Sequence, residues 1–515
     1  MELTKKWNLI PVKLLSLMCL VAPALAQINV TADFGSLTGI ASTSTSFGIN
    51  ANVTDWDIVS TPGNPTFKDE MANIAPQFLR VWGGQYCDAK QYKGCWISNL
   101  GKANETWDAA AIKKTFQGYP TYGPHVIVTI GSYPAYMADP KTGKLLPAYY
   151  AAFANYCAQL VEIINLQNPG GLHVDMFEVL NEMEGSYMNS GDGTTLGQIV
   201  SQAAFAMKAV DPTIQVAGDA FAYAGYPELD DYLLAVKAAG DPLDFISWHE
   251  YCVENPKYST RSIWANGHEG KPSPLVTLMA GYLQQDLGHL IPMYVDEYSM
   301  NGSAWNPPDN RVHTAAETVY DALMLVSYLH AGATGTARWD GSDDLYGMMG
   351  EQDKNFAYFP SAYLVTALNH DFIGSEVASD TSNGTEVVPF AVIPNPPSTV
   401  IGSVLLIHSV VSKSNTVTLA VSNLPQVPNI VVIKTITDSG ESVSTQPYSS
   451  KISLTLPGTS VTEVTFSSSG FSPADHGTVG TGARTARAAG GLAEREEQND
   501  EKTIGIIRCS GAHSI

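Results

Sequence analysis

The sequence has little positive charge. Its 515 residues carry 28 Lys and Arg against 50 Asp and Glu, for a formal net charge of −22, and charged residues make up only 15% of the chain. So acidic a chain repels phosphate backbones, which excludes nucleic acid as an expected partner. Metal-ligand spacing is also missing: no C-x-x-C and no H-E-x-x-H occurs, so neither a metal nor a cofactor is expected. Long apolar runs are absent apart from Leu14–Ala22. That run is shorter than the roughly 20 residues a membrane span needs. Lys5, Lys6 and Lys13 precede or flank it, and Ala24-Leu25-Ala26 follows as a small-residue cleavage site. The order reads as a signal peptide over residues 1–26, giving a secreted, extracellular protein with no membrane anchor.

Cysteine is scarce, and Cys19 leaves with the signal. Cys87 and Cys95, in one Gly- and Tyr-rich loop, are the expected disulfide. Cys157 falls on a helical stripe with Phe153, Leu160 and Ile164 and reads as a buried thiol. Five N-x-[ST] sequons, at Asn29, Asn52, Asn104, Asn301 and Asn383, agree with export.

What the chain does have is a recurring pattern. Eight short apolar runs lie at 46–50, 78–82, 126–130, 176–182, 214–218, 245–251, 293–298 and 335–340. Segments with helical periodicity separate them, one carrying Leu196, Ile199, Val200, Ala203 and Met207 and stopped by Asp211-Pro212, another over about Val312–His330. Eight such units predict an α/β fold, a (β/α)8 TIM barrel over residues 37–372. After residue 373 the texture becomes β-rich runs broken by turn residues, predicting a C-terminal antiparallel β-sandwich over 373–470. An N-terminal strand at 27–36 is expected to join it, and 471–515 reads as a disordered tail.

In such a barrel, functional groups gather where strands end. Here the strand ends carry Arg80, Trp82 and Gly83-Gly84; Tyr133; Asn181 and Glu182; His249 and Tyr251; Asp296, Glu297 and Tyr298; and Trp339 and Asp340. An unpaired buried carboxylate is costly, so apolar runs such as "MFEVLNE" and "MYVDEY" that end in acids mark a working rim. "LRVWGG", "FEVLNE", "SWHEY", "VDEY" and "RWDGSDD" together resemble the clan of retaining glycoside hydrolases whose catalytic glutamates end barrel strands four and seven. With the trailing β-domain, the chain is most similar to the xylosidase/iduronidase-type, family 39-like members. The resemblance implies O-glycosidic hydrolysis of an oligo- or polysaccharide by double displacement. It makes Glu182 the acid/base and Glu297 the nucleophile, with Arg80, Trp82, Asn181, His249, Tyr251 and Trp339 in substrate binding or support. Xylosides or arabinosides are the expected sugars; β-glucosides, β-galactosides and glucuronides stay open.

Each role has a competitor. Glu184 lies two residues beyond Glu182 and is the nearest alternative acid. Asp296 neighbours Glu297, but strand alternation is expected to turn it away from the interior, as a structural partner. Tyr133, Tyr298 and Trp305 are sugar platforms or plain packing. Asp340, Asp343 and Asp344 match no Ca²⁺ loop and read as a solvated turn. The rival classes are a non-catalytic carbohydrate-binding relative and a metal-dependent hydrolase on the same barrel.

Overall fold

The computed structural model describes residues 27–52, 65–82, 85, 95–118, 125–253, 256–267, 270–303, 307–343, 345–351 and 355–468. The expected signal peptide, the expected tail, Cys87, Trp305, Asp344 and Gly83-Gly84 lie outside the described residues.

Parallel strands Gly48–Asn52, Phe78–Trp82, His125–Ile130, Met176–Val179, Gln215–Ala217 with Ala220–Phe221, Ile246–Val253, Met293–Asn301 and Gly335–Arg338 form one sheet, called here barrel strands one to eight. The two ends of the hydrogen-bonded order are the two pieces of strand five, so the sheet curls round to meet itself. The break in strand five is at Gly218-Asp219. A Cβ on Gly218 would lie 2.3 Å from the Val179 carbonyl oxygen, and its φ is +148°, so only glycine fits. A helix follows each strand: Pro65–Ile74, Ala109–Gly118, Tyr150–Val161, Gly193–Val210, Leu229–Ala238, Pro274–Tyr282, Ala315–Ala331 and Pro360–Asp371. The sequence explains their ends. Pro212 cannot donate an N–H and stops the fourth helix. Thr314 caps the seventh by accepting from Ala316 N, and Gly332 closes it at φ +94°. Cys157 and Cys252 are buried free thiols.

The C-terminal part is the expected β-domain, built as one curled sheet. Nine strands form a single continuous sheet, in the order 440–447, 430–437, 460–467, 400–408, 387–394, 374–381, 28–41, 415–422, 451–456. It is mixed, because Ile28–Ala41 runs antiparallel to Gly374–Thr381 but parallel to Asn415–Ser422. That N-terminal strand reaches Ala41, through irregularities after Asp33 and Leu37. Inserted between two groups of C-terminal strands, it joins them by backbone hydrogen bonds. The sheet then curls over one core that holds Ile28, Val30, Phe34, Val404, Leu419, Leu456 and Phe466. Alternate residues of its central strands face the other way, and Val388, Phe390, Leu405, Ile407 and Val461 join the barrel's core. Burial on both faces is why these strands read as unbroken apolar runs. Two strands escaped the sequence reading, Gly374–Thr381 and Gly440–Pro447. The second is an edge strand with mostly exposed side chains, so no burial imposes an alternating pattern on it.

Candidate active site

Arg80 organises the barrel mouth. It stands on strand two, and its side chain is fully buried. Nε lies 2.9 Å from Glu178 Oε2 and 2.8 Å from Asp296 Oδ2. One terminal nitrogen donates to Glu297 Oε1 at 2.5 Å and to Asn50 Oδ1 at 3.1 Å; the other donates to Asn181 Oδ1 at 2.6 Å. The planar fork of a guanidinium can serve five acceptors in this way; a point-like ammonium cannot. Burial alone would lower the Arg80 pKa, but the charges of Asp296, Glu178 and Glu297 outweigh it and raise it. Burial pushes the Glu178 carboxyl up, but Arg80 outweighs it and holds Glu178 below its ordinary value. Asp296 goes the other way: burial dominates over Arg80 and keeps it well above the usual carboxylate range.

The position of Asp296 overturns the alternation argument. Trp248 of strand six pairs with Val295 and the next residue, His249, pairs with Glu297, so strand seven carries one extra residue between them. The register against strand eight slips at the same place. This is a β-bulge, and a bulge breaks the inside–outside alternation. Asp296 and Glu297 both reach Arg80, and Asp296 is a structural partner from inside the barrel rather than from behind it.

Glu297 is 6% exposed, and its second oxygen accepts from the Tyr251 hydroxyl at 2.8 Å. Glu182 stands opposite, its side chain 24% exposed, with Oε1 2.7 Å from Nδ1 of the fully buried His249. His249 Nε2 lies 3.5 Å from Glu297 Oε1. Burial would lower the His249 pKa, but Glu297 and Glu182 raise it to about 9. His249 and Tyr251 share a strand face because they are two residues apart, as are Arg80 and Trp82. The chain turns at the end of strand four through left-handed Leu180 and Glu182, with φ +77° and +55°. This turn lets Glu182 N donate to Ala220 O at 2.9 Å and aims its side chain across the mouth. Trp82 and Trp339 meet edge to face at 5.4 Å on the rim, both half-buried.

Six sequence-predicted site residues, Arg80, Asn181, Glu182, His249, Tyr251 and Glu297, are therefore joined in one network, and Trp82 and Trp339 meet each other at the ends of strands two and eight. Three neighbours were missed: Asn50, Glu178 and Asp219. Asn50 donates to the Asp296 carbonyl at 2.7 Å and to that of Ala337 at 3.1 Å. Glu178 also accepts from the Thr129 hydroxyl at 2.8 Å. For Glu178 the available signal was a lone acid within the apolar run "MFEV". Of the competitors, Glu184 is buried behind Glu182 and pairs with Asp219. Tyr133 donates to Gly143 O and packs edge-on to Phe153, while Tyr298 is buried against Tyr328, so both are packing. Asp343 accepts from the backbone N–H groups of Leu345, Tyr346 and Gly347 and shapes its own turn. Asn301 is fully buried and donates to Asp309 at 2.9 Å, which removes it as a glycan acceptor in the fold.

Ligand atoms of Glu182, His249 and Glu297 lie within 4.8 Å of one another. The sequence reading did not foresee a cluster that could hold a metal. Its atoms are engaged, however: both Glu297 oxygens and the Glu182–His249 pair are hydrogen-bonded. The Arg80 cation also stands at Glu297. The arrangement is that of two carboxyls held across a mouth, one beside a guanidinium and one beside an imidazole.

The family model for glycosyl hydrolases family 39 matches residues 172–450, more than half of the chain. The chain belongs to this family. The family 39 hydrolase is similar in structure to a monomeric β-xylosidase from Caulobacter crescentus CB15, at 13% identity and a TM-score of 0.62, covering 85% of this chain and 99% of that one. It is also similar to the GH39 enzyme from Xanthomonas axonopodis pv. citri, at 14% identity and TM-score 0.61, covering 85% and 97%. A family 51 α-L-arabinofuranosidase from Bifidobacterium longum matches at 14% identity and TM-score 0.63, covering 85% and 99%. No curated protein matches the sequence.

Proposed function

We propose that this glycoside hydrolase is a secreted, retaining O-glycosidase of plant cell-wall sugars such as xylosides or arabinosides, with Glu297 as nucleophile and Glu182 as acid/base. The observation that carries the reading is the placement of Glu182 and Glu297, with oxygens within 4.8 Å. Retaining enzymes hold their carboxyls about 5–5.5 Å apart, whereas inverting enzymes leave about 6.5–9.5 Å for a water.

In the first step a Glu297 oxygen attacks the anomeric carbon as the glycosidic bond breaks and the leaving oxygen takes a proton from Glu182. The 2.7 Å bond to His249 keeps a proton within the Glu182–His249 pair, and Glu182 is the partly exposed member that reaches substrate. Arg80 and Tyr251 bond both oxygens of Glu297 and so hold it in place before attack. In the second step Glu182 takes a proton from water, water attacks the glycosyl ester, and Glu297 leaves as carboxylate. Arg80 occupies Asn181 Oδ1, which leaves the amide N–H₂ of Asn181 as donor for the sugar 2-hydroxyl. Trp82 and Trp339 supply the apolar floor under the ring. A neutral sugar is favoured because Glu178, Asp296, Glu297, Asn50 and Asn181 already enclose the Arg80 guanidinium.

The test is a panel of nitrophenyl glycosides and plant oligosaccharides, run with wild type and Glu297→Ala. The expected result is hydrolysis of a xyloside or arabinoside, loss in the variant, and azide rescue giving a glycosyl azide of inverted configuration. Turnover by Glu297→Ala without azide would sink the assignment.

A further inference from the structure

Behind Glu182 lies a second pair of carboxyls that the reaction does not use. Glu184 is 1% exposed and Asp219 is fully buried. The two carboxyl groups are within hydrogen-bond reach of each other. Asp219 Oδ2 accepts from Glu184 N at 2.9 Å, and Glu184 Oε1 accepts from Ala222 N at 2.7 Å. The remaining oxygens, Glu184 Oε2 and Asp219 Oδ1, are buried and make no hydrogen bond, although the Tyr226 hydroxyl approaches Glu184 and the Met183 N–H approaches Asp219. Among the described residues no Lys, Arg or His lies within ion-pair distance of either group. The titratable groups that face the pair are Glu182 on the same loop, Tyr226 on the loop after strand five, Tyr133 after strand three and Tyr232 on the fifth helix. None of them supplies positive charge.

Two carboxylates cannot both stay ionised side by side in such a place. One proton between the facing oxygens resolves it, since one oxygen then donates and the other accepts. We infer that Asp219 and Glu184 form a single-proton carboxyl pair that ties the end of strand four to strand five and sets a lasting negative charge behind Glu182. The pair is a positioning element for the proposed acid/base, and the inference rests on that assignment. Its bonds span the same junction as Glu182 N to Ala220 O and the Asn181–Ala220 bridge, so it holds the left-handed turn at Glu182. Its charge, close to Glu182, favours the protonated form that the first step needs. Burial first, and then the partner's charge, raise the pKa of Asp219; burial raises Glu184 to about 7.

The inference has an unusual consequence. In Asp219→Asn or Glu184→Gln the new amide donates to the surviving carboxylate, as the shared proton did, and the site keeps one negative charge. Only the double variant Asp219→Asn/Glu184→Gln loses it. The experiment measures kcat/KM against pH for xylobiose with wild type, both single variants and the double variant. The basic limb, where Glu182 loses its proton, should stay in place in the singles and fall by about one pH unit in the double. A shift already present in either single variant means two charges in the wild type and overturns the inference. An unmoved limb in the double means a neutral or merely structural pair and overturns it as well. Infrared difference spectra, each variant minus wild type, need no substrate: a protonated carboxyl band must be lost from each single variant, over the unchanged bands of other protonated carboxyls such as Asp296. Single-variant spectra with no such loss refute the pair even where xylobiose is not cleaved. Failure of azide rescue in Glu297→Ala leaves the infrared result standing, which separates failure of this inference from failure of the catalytic assignment.

Discussion

Replacing Arg80 by Lys keeps the charge and removes the fork. Arg80 makes five contacts from three nitrogens: to Glu178 at 2.9 Å, Asp296 at 2.8 Å, Glu297 at 2.5 Å, Asn50 at 3.1 Å and Asn181 at 2.6 Å. A lysine ammonium has one nitrogen and three protons, so at least two contacts go unmade. Each charge-assisted bond contributes about 1.5–3 kcal/mol, so the loss is roughly 3–6 kcal/mol. Domains are stable by only about 5–15 kcal/mol, so the variant should fold with a clearly lowered melting temperature. If about 2–3 kcal/mol of the loss falls on the placement of Glu297, kcat/KM drops on the order of 30- to 160-fold. The drop should lie in kcat more than in KM, because Arg80 bonds the nucleophile rather than the sugar. Calorimetry and kinetics on the best substrate of the panel check both numbers. A variant within about threefold of wild-type kcat/KM, melting at the wild-type temperature, would falsify the account of Arg80 as organiser.

Three further outcomes follow from the geometry. Glu182→Ala should lose about 10²- to 10⁴-fold in kcat/KM on xylobiose, the range for a general acid, and far less on a nitrophenyl glycoside whose leaving group needs no proton; an equal loss on both would argue against the acid role. His249 has its pKa raised from 6.5 to about 9, with Glu297 and Glu182 outweighing burial; its contribution, roughly 3 kcal/mol, is fully present below about pH 6.5 and is lost as pH rises through 9. His249→Asn should therefore flatten the fall in melting temperature across that window, and an unchanged slope would count against a charged His249. Gly218→Ala places a methyl 2.3 Å from the Val179 carbonyl at φ +148° and should cost on the order of 3 kcal/mol, read as a lowered unfolding midpoint; a wild-type midpoint would show that the strand-five break is not tight.

Among the described residues, two other cations, Lys434 and Arg338, lie largely or fully buried outside the barrel mouth with several acids around them. Lys434 joins Glu463 at 2.9 Å and Asp371 at 3.5 Å, linking the curled sheet to the eighth barrel helix. Arg338 likewise meets Asp321 at 2.9 Å behind strand eight. Both networks are structural.

The sequence by itself determined the local matters. The eight strand runs and the helices between them follow from the period of burial, which is written residue by residue. The rim residues Arg80, Asn181, Glu182, His249 and Glu297 were legible because a polar group at the end of an apolar run needs a reason to be there. Tertiary structure decided everything that depends on a partner distant in the chain. The bulge that turns Asp296 inward comes from the register between strands six, seven and eight, and no single strand records it. The mixed sheet arises because Ile28–Ala41 inserts between strands more than 300 residues away. The pairing of Glu184 with Asp219 exists only because strands four and five lie side by side, where burial without a counter-ion makes two ordinary acids share one proton.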